Sequence, residues 1–419
     1  PLDERAFWEQ RPALHHIRKA AHARGVSAPA VLAVVLARVI AEIDPRVTLP
    51  PLIGAEMSLN SYVALLGPSG SGKTSVMAVV EDLYPWTVDQ RSVGSGEGLL
   101  RGYGHVSNEN WVQTQSRQFL YVDEVVTLTA QTSRSGSSLL GLINTGWTGQ
   151  PLSQQYADPR KNARIARHDY RLCLVVGVQL GKADNLLTHS DAGTPQRFYW
   201  APMIDSSIPV PDEQPPWPGE MDWAPVSVES ERGTISIHVP DDIALEVRDR
   251  FQRRATSWDY AGGDRDHDDL LRLKIAASLA LLDSRLAILP VDWTGAGVLM
   301  RQSRRSLEMV HADRREREQR IALMRGQRSF AVNRVQEDLR EQRDIERTAL
   351  RIANHVHRHA EEMANGCTKK CAKNGLSQDG LIRYFEPAVD LAAEQGWIRP
   401  AFDSRARRLL PGTSSPTKG

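Results

Sequence analysis

One eight-residue segment restricts the fold of this chain more than any other feature. Residues 67–74 read GPSGSGKT, which fits the pattern G-x-x-x-x-G-K-[ST]. The segment directly follows the apolar stretch 62–66 and opens a stretch of helical character. Glycines allow the backbone to curl so that several N–H groups point inward, and the N-terminus of a following helix adds positive potential. The segment therefore predicts a phosphate-binding loop between a strand and a helix.

Two side chains of this loop have separate expected roles. Lys73 is expected to reach the β- and γ-phosphates of a nucleotide, and the Thr74 hydroxyl is expected to ligate Mg²⁺. The expected nucleotide contacts include the whole loop and the residue after it: Gly67, Pro68, Ser69, Gly70, Ser71, Gly72, Lys73, Thr74 and Ser75.

Two acidic residues follow a second apolar stretch. Residues 119–122 precede Asp123 and Glu124. The carboxyl ends of parallel strands meet at one edge of a sheet, where such folds bind their ligands, so we expect both acids beside the phosphate loop. Asp123 is the second expected magnesium ligand, and Glu124 is the expected group that orients the attacking water. Gln179, after the apolar stretch 172–178, is expected to contact the γ-phosphate or that water.

The arrangement of apolar stretches predicts an α/β fold with a parallel sheet. Short apolar strands alternate with polar or helical segments between residues 61 and 200. Two helices are expected before them, over 3–24 and 27–44, with Ser27 as an N-cap. We expect five segments: an N-terminal helical segment (1–48), an ATPase domain with a helical lid (49–300), an Arg-rich helical linker (301–346), a winged-helix-like domain (347–411) and a disordered tail (412–419).

Composition limits the cellular setting and the class of partner. The chain has 419 residues and a formal net charge of +1, so its overall charge does not indicate a nucleic-acid partner. Three cysteines in a chain of this length do not form a disulfide framework, which favours a reducing, cytoplasmic setting. The strongest apolar run, 31–40, is far shorter than the ~20 residues that cross a bilayer, so we expect a core helix and no membrane partner.

Four segments together resemble the helicase-type ATPase domain of phage and mobile-element primase–helicases, close to superfamily-3 and AAA+ ring ATPases. They are GPSGSGKT, FLYVDEV, LCLVVGVQL and GTPQRFYW. HDDLLRLKIAASLALLD and VDWTGAGVLM are similar to the helical lid of these domains and of minichromosome-maintenance helicases. The resemblance covers residues 50–310 and implies an AAA+-like P-loop NTPase that binds ATP and Mg²⁺ between the subunits of a homo-oligomer, expected to be a hexamer. Nothing in residues 1–60 resembles a primase, so a helicase of this kind is expected to be free-standing or to have lost its N-terminal partner, and a primase is a candidate replication partner.

Two arginines are candidates for further roles in such an enzyme. Arg197, within GTPQRF, is a candidate arginine finger that stabilises transition-state charge in a neighbouring subunit, with a local salt bridge as the alternative. Arg272, within LLRLK, is a candidate second sensor that reaches the nucleotide from the lid.

A basic interval between the acids and the next strand indicates a DNA contact. In ring helicases this interval often carries a hairpin that projects into the central pore. Such cations neutralise phosphates without reading sequence, so we expect salt-sensitive binding of single-stranded DNA. A solvated hairpin or a subunit contact are the alternatives. The candidate residues are Arg160, Lys161, Arg164 and Arg167.

The C-terminal part combines an Arg-rich helix with a candidate metal site. Residues 301–360 hold 15 arginines, no lysine and nine acidic residues, a mixed pattern typical of one or two long exposed helices. Three short helices followed by a strand then indicate a winged-helix module. His355 and His359 share a helix face, and with Cys367 and Cys371 they form a candidate zinc site. Loop cysteines and exposed histidines without a metal are the alternative.

These features favour a ring-forming, Mg·ATP-dependent helicase or translocase that acts on single-stranded DNA in the replication of a phage, plasmid or integrated element. Two alternatives remain open from the sequence. One is an ATPase that remodels proteins or serves in signalling or defence. The other is a DNA-binding regulator that uses ATP only as an assembly switch.

Overall fold

The chain forms two compact units, Pro1–Glu316 and Arg317–Gly419, in a computed structural model. None of the described helices is both long enough and apolar enough to cross a bilayer. The structure describes residues 3–126, 138–156, 158, 160, 162–187, 193–228, 233–256, 267–362, 366–374, 376, 380–403 and 406–416.

Strands and helices alternate through most of the first unit. The strands of the chain are β1 (Val47–Leu49), β2 (Met57–Ser58), β3 (Ser61–Leu66), β4 (Gln90–Arg91), β5 (Gly104–Ser107), β6 (Asn110–Gln113), β7 (Arg117–Val122), β8 (Leu152–Gln154), β9 (Ala163–Ile165), β10 (Arg171–Val178), β11 (Phe198–Pro202), β12 (Ile235–Ser236), β13 (Cys367–Thr368), β14 (Ile398–Asp403) and β15 (Ala406–Pro411). The helices are α1 (Glu4–Trp8), α2 (Pro12–Ala23), α3 (Ala28–Glu42), α4 (Lys73–Leu83), α5 (Gly96–Arg101), α6 (Leu139–Trp147), α7 (Asp184–Leu187), α8 (Asp241–Ala255), α9 (Asp268–Leu282), α10 (Pro290–Arg358), α11 (Lys369–Asn374) and α12 (Phe385–Glu394).

A five-stranded parallel sheet lies at the centre of the first unit. Its strand order is β11-β3-β10-β7-β4. Strand β10 therefore lies between β3, which leads into the phosphate loop, and β7, which leads into the two acids. Val176 of β10 pairs with Ala64 on one side and with Val122 on the other, so all three strands end at the same edge. The predicted α/β fold with a parallel sheet is confirmed.

Helix α3 forms the centre of the core on one side of this sheet. All of its residues are buried, which confirms the core helix predicted from its apolar run. It packs against β3, β7, β10 and β11 and against helices α4 and α9. Ser27 caps its N-terminus as predicted, because the Ser27 hydroxyl accepts a hydrogen bond from Ala30 N. The N-terminal helices therefore belong to the same compact unit as the sheet.

One arginine interrupts the apolar run of α3 and is nevertheless buried. The Arg38 Nη1 donates a hydrogen bond to Val88 O at 2.7 Å, and the guanidinium forms an ion pair with Glu81. The same guanidinium lies 3.8 Å from the centroid of the Phe119 ring. Burial of a charge is tolerated when it is paired and hydrogen-bonded, so these contacts explain how a cation fits beside the sheet.

Two predicted helices have different bounds in the structure. The helix expected over 3–24 is divided into α1 and α2, because Pro12 lacks an N–H group and begins a new helix. The two segments expected to form the lid, HDDLLRLKIAASLALLD and VDWTGAGVLM, form α9 and the start of α10. Helix α10 then continues without a break to Arg358, and every residue from 321 to 343 is exposed. The long exposed helix expected for the Arg-rich segment is confirmed.

The second unit has a hydrophobic core of its own. Strands β13, β15 and β14 form an antiparallel sheet in that order. Ile352 and Val356 of α10 pack there with Phe385 and Val389 of α12 and with Leu409 of β15. Along the chain the elements alternate as helix, strand, two helices and a strand pair.

Candidate nucleotide site

The predicted phosphate loop leaves the carboxyl end of β3 and leads into α4. Gly67 N donates a hydrogen bond to Val178 O at 3.0 Å, which fixes the start of the loop against β10. Gly70 and Gly72 have φ angles of 76° and 82°, in the left-handed region that glycine adopts without strain. Gly72 is the N-cap of α4 and offers no side chain to the first turn. The amides of that turn are therefore available to an anion.

The side chain of Lys73 lies over this loop. Its Nζ donates hydrogen bonds to Gly67 O at 3.2 Å, to Pro68 O at 2.9 Å and to Ser71 Oγ at 3.2 Å. Burial lowers the pKa of Lys73, and the negative charges of the two acids after β7 oppose that shift. The ammonium is thus held by oxygen atoms that the oxygens of a phosphate can replace. The other loop side chains on the outer surface are Pro68, Ser69, Thr74 and Ser75.

A tyrosine hydroxyl connects the two expected magnesium ligands. The Tyr121 hydroxyl donates a hydrogen bond to Asp123 Oδ1 at 2.8 Å. Burial and the contact with Asp123 raise the pKa of Tyr121, whereas a hydrogen bond from the Thr74 side chain lowers it. Thr74 and Asp123 therefore meet at one hydroxyl group. Hydroxyl and carboxylate oxygens are ligands that Mg²⁺ accepts, so these two side chains fit a magnesium site.

The second acid, Glu124, is held by two residues that follow β10. Lys182 Nζ lies 2.9 Å from Glu124 Oε1 and 3.0 Å from Oε2, and the Gln179 side-chain amide donates to the same Oε1. The side chains of Lys182 and Glu124 are 42% and 38% exposed. An ion pair this exposed contributes at most about 1 kcal/mol, so a bound ligand can readily replace it. The sequence predicted that Gln179 lies in the nucleotide site, but it did not predict Lys182. The only sequence feature that could have indicated Lys182 is that it follows Gln179 by three residues.

Gly177 of β10 lies where the site has no room for a side chain. A Cβ atom there would fall 1.9 Å from Asp123 O and 3.1 Å from Lys73 Cδ.

We expect Gly177→Ala to separate β10 from the Asp123 main chain. The variant should destabilise the first unit by about 1–3 kcal/mol or more and weaken nucleotide binding. Thermal unfolding with and without ATP measures both effects. Gly181→Ala is the matched control, since a Cβ there meets nothing within 4 Å. Equal melting temperatures for the two variants would contradict this steric account.

Arg197 lies at the amino ends of the sheet strands, whereas the phosphate loop of the same chain follows their carboxyl ends. It ends the short 3₁₀ helix Pro195–Arg197, and the next residue, Phe198, pairs with Tyr62 at the start of β3. Its guanidinium carbon lies 5.8 Å from the centroid of the Trp147 ring, and burial lowers the pKa of Arg197. The structure therefore does not bring Arg197 together with Lys73 within one chain.

Arg272 is held by contacts within the lid. Its Nη2 donates a hydrogen bond to Trp293 O at 3.0 Å, its guanidinium carbon lies 3.6 Å from the centroid of the Trp293 ring, and its Nη1 lies 3.6 Å from Glu246. Lys274, two residues further along α9, donates to Asn60 O at 2.7 Å, just before β3 begins. The contacts of Arg272 are with Trp293 and Glu246, and none of them brings it to the phosphate loop.

The predicted basic hairpin is present between the acids and β10. Strands β8 and β9 pair antiparallel, and Arg164 on β9 is exposed. The Arg160 side chain is 75% exposed and forms an ion pair with an aspartate two residues earlier. Arg167 instead donates a hydrogen bond to a backbone carbonyl oxygen, that of Glu56, at 2.5 Å. Lys161 lies outside the described residues. Among the described candidate residues of the hairpin, Arg160 and Arg164 therefore have exposed side chains.

No protein-family model matches this chain, and no curated protein shows significant sequence similarity to it. The function of the site is therefore inferred from its residues and their geometry. The side chains that the structure gathers at the carboxyl edge of the sheet are Lys73, Thr74, Tyr121, Asp123, Glu124, Gln179 and Lys182.

Proposed function

We propose that the protein is a Mg²⁺-dependent ATPase. The observation that carries the proposal is the meeting of a glycine-rich loop, a buried lysine and two carboxylates at the carboxyl edge of one parallel sheet. Open α/β sheets bind their ligands at this edge. The glycine conformations and the uncapped first turn of α4 fit a phosphate group.

Each residue of the site has a defined part in this proposal. When bound, the magnesium nucleotide supplies an activated γ-phosphoryl group whose charge the metal partly neutralises. Lys73 binds the β- and γ-phosphate oxygens, and Thr74 and Asp123 hold the metal. Glu124 orients a water molecule and accepts its proton, while Gln179 fixes the position of the Glu124 carboxylate. Lys182 keeps that carboxylate in place until ligand binding replaces the exposed ion pair.

The direct test is phosphate release from ATP by the purified full chain, with Mg²⁺ and after its removal by a chelator. Activity that needs Mg²⁺ and is absent from an identically prepared Lys73→Ala variant supports the proposal. Activity that persists in that variant would point to a contaminating enzyme. Failure of the wild-type chain to bind ATP at all, measured by calorimetry, would reject the proposal.

A narrower function within this class is translocation on single-stranded DNA by a ring of subunits in the cytoplasm. The exposed cations of the β8–β9 hairpin favour a phosphate-rich partner. The position of Arg197 at the sheet edge opposite its own phosphate loop is compatible with action on a neighbouring subunit. The order of helices and strands in the second unit is compatible with a winged-helix-like module, which binds duplex DNA or another protein.

The triple variant Arg160→Ala, Lys161→Ala and Arg164→Ala is expected to bind single-stranded DNA more weakly and with less salt dependence. Removal of one phosphate contact lowers the slope of log affinity against log salt by about 0.7. ATP hydrolysis without DNA should be unchanged, because Arg160 and Arg164 do not belong to the residues gathered at the nucleotide site. Fluorescence anisotropy over a range of salt concentrations measures the slope.

A matched control removes three exposed arginines of α10. That control is expected to keep the wild-type salt slope, and it excludes a general effect of lowered net charge. An unchanged slope in the hairpin variant would remove the hairpin from the DNA interface. The control positions are Arg325, Arg328 and Arg334.

Two further measurements separate the translocase from its alternatives. Stimulation of ATP hydrolysis by single-stranded DNA favours a translocase over an ATPase that remodels or signals to proteins. Separation of DNA strands that is lost in Glu124→Gln favours it over a regulator for which ATP is only an assembly switch.

A further inference from the structure

The second unit contains a cluster of sulfur and imidazole ligands that the nucleotide site does not use. The ligand atoms of His355, Cys367 and Cys371 all lie within 4.8 Å of one another. His355 Nε2 lies 3.3 Å from Cys371 Sγ. No second group of this kind occurs in the described parts of the chain.

Short elements near the end of α10 bring these residues together. His355 lies in the last turn of α10, and Cys367 begins β13 after Gly366, whose φ of 88° requires glycine. Thr368 follows, and its Oγ1 accepts a hydrogen bond from Cys371 N at 3.3 Å. This contact turns the chain into α11 and directs Cys371 towards the helix that carries His355. The cluster thus combines residues from a helix, a strand and a second helix.

The separations within the cluster match those of a tetrahedral metal site. Zinc bonds of about 2.3 Å to sulfur and about 2.0 Å to nitrogen place neighbouring ligand atoms about 3.5 to 3.8 Å apart. The observed His355–Cys371 separation of 3.3 Å is close to that range, and 4.8 Å is the upper limit for the others. Shifts of about 1 Å or less therefore close the three ligands around one ion.

A candidate for the fourth ligand, His359, lies one helical turn beyond His355 and outside the three-residue group. The ring centroid of His359 is 4.7 Å from that of His355. His359 Nδ1 lies 2.9 Å from Glu362 Oε2, which leaves Nε2 for a metal. Zinc-bound histidines commonly donate their second N–H group to a carboxylate, and that bond fixes the ring orientation. Glu362 therefore serves as the positioning residue for His359.

We propose that the second unit binds one structural Zn²⁺ ion through Cys367, Cys371, His355 and His359. Thiolate and imidazole ligands select zinc over Mg²⁺ or Ca²⁺, which bind oxygen. Two thiolates balance the charge of the ion after their protons pass to solvent, so the partly buried site stays neutral. The ion joins the end of α10 to β13 and α11, and its binding free energy adds to the stability of this unit. This site is independent of the proposed ATPase activity.

The wild-type full chain provides the first test. Protein purified from zinc-supplemented medium is expected to contain one zinc ion per chain by elemental analysis. Replacement by Co²⁺ is expected to give the visible absorption of a tetrahedral site together with a near-ultraviolet thiolate charge-transfer band. Absence of both signals, or a Cys367–Cys371 disulfide found by mass spectrometry in protein kept under reducing conditions, would overturn the proposal.

Variants then assign the individual ligands. Cys371→Ser and His355→Gln are expected to lose the stoichiometric metal, and Glu362→Gln is expected to lower zinc affinity by about 10- to 100-fold. His357→Gln is the matched control, because His357 lies on the same helix but contacts Trp397 O at 2.7 Å. Equal zinc affinity in Glu362→Gln and wild type would remove His359 from the ligand set. Equal metal loss in the His357 variant would show that metal content reports only on folding, and would overturn the assignment.

Discussion

Glu124→Gln is expected to bind ATP with wild-type affinity and to hydrolyse it more slowly by a factor on the order of 10² or more. The amide has the size of the carboxylate but cannot accept a proton from the attacking water. Glu124 hydrogen-bonds with Gln179 and Lys182 and not with the phosphate loop, so its replacement by an amide should leave the loop contacts with the nucleotide in place. Calorimetry measures the affinity, and single-turnover phosphate release measures the chemical step.

Two further variants distinguish the role of Glu124 in hydrolysis from the roles of Lys73 and Lys182. Lys73→Ala removes the cation that the loop holds and is expected to abolish nucleotide binding. Lys182→Ala removes the exposed partner of Glu124 and is expected to change hydrolysis by less than about tenfold, since such a pair contributes at most about 1 kcal/mol. Hydrolysis by Glu124→Gln at the wild-type rate would show that Glu124 is not the base.

Arg197→Ala is expected to bind ATP and to assemble, yet to hydrolyse ATP about 10³-fold more slowly. The reason is that an arginine supplied to a neighbouring site stabilises charge that develops only in the transition state. Arg197 lies at the opposite sheet edge from the loop of its own chain, so a role in hydrolysis requires a second subunit. Arg253→Ala is the control, because this side chain is 70% exposed and forms an ion pair with Asp249, one turn earlier on the same helix.

Mixing variants tests whether the site is shared. Arg197→Ala and Lys73→Ala are each expected to be inactive alone. Mixed assemblies contain interfaces with an intact Lys73 on one side and an intact Arg197 on the other, and these are expected to recover part of the activity. Mixed rings that are confirmed by mass and remain inactive would show that Arg197 does not act on a neighbouring subunit.

The position of residues 67–74 and of the two acids at one edge of the sheet could be predicted because their signals are local. Residues 67–74 carry their pattern in eight consecutive positions, and Asp123 directly follows an apolar strand. Lys182 and Arg272 show the limit of this reasoning. The ion pair of Lys182 with Glu124 depends on the β10–β7 pairing, and the stacking of Arg272 on Trp293 depends on lid packing. Neither contact has a signature along the sequence.

Charge along the sequence also does not show which cations near the hairpin are exposed. Arg171 stands in the same basic interval as Arg164, yet it is fully buried at the start of β10. Its Nη2 donates to the carbonyl oxygens of Asp44 and Val47 at 2.7 and 2.9 Å. Burial lowers the pKa of Arg171 to about 10.

The strand β15 was not predicted from the sequence, because its arginines conceal the alternation of apolar and polar residues expected of a strand.

The buried position of α3 has a consequence for how the chain is made. Helix α3 ends at Glu42, whereas β11, the last strand that it packs against, begins at Phe198. A ribosome adds roughly 5 to 20 residues per second, so the segment between them takes about 8 to 30 s to synthesise. During that time the nascent chain carries an apolar helix whose partner surface is incomplete, because β11 and α9 have not yet been made. Such a helix is the kind of segment that chaperones bind, so the order of elements in this fold leaves α3 open to aggregation until β11 has been made.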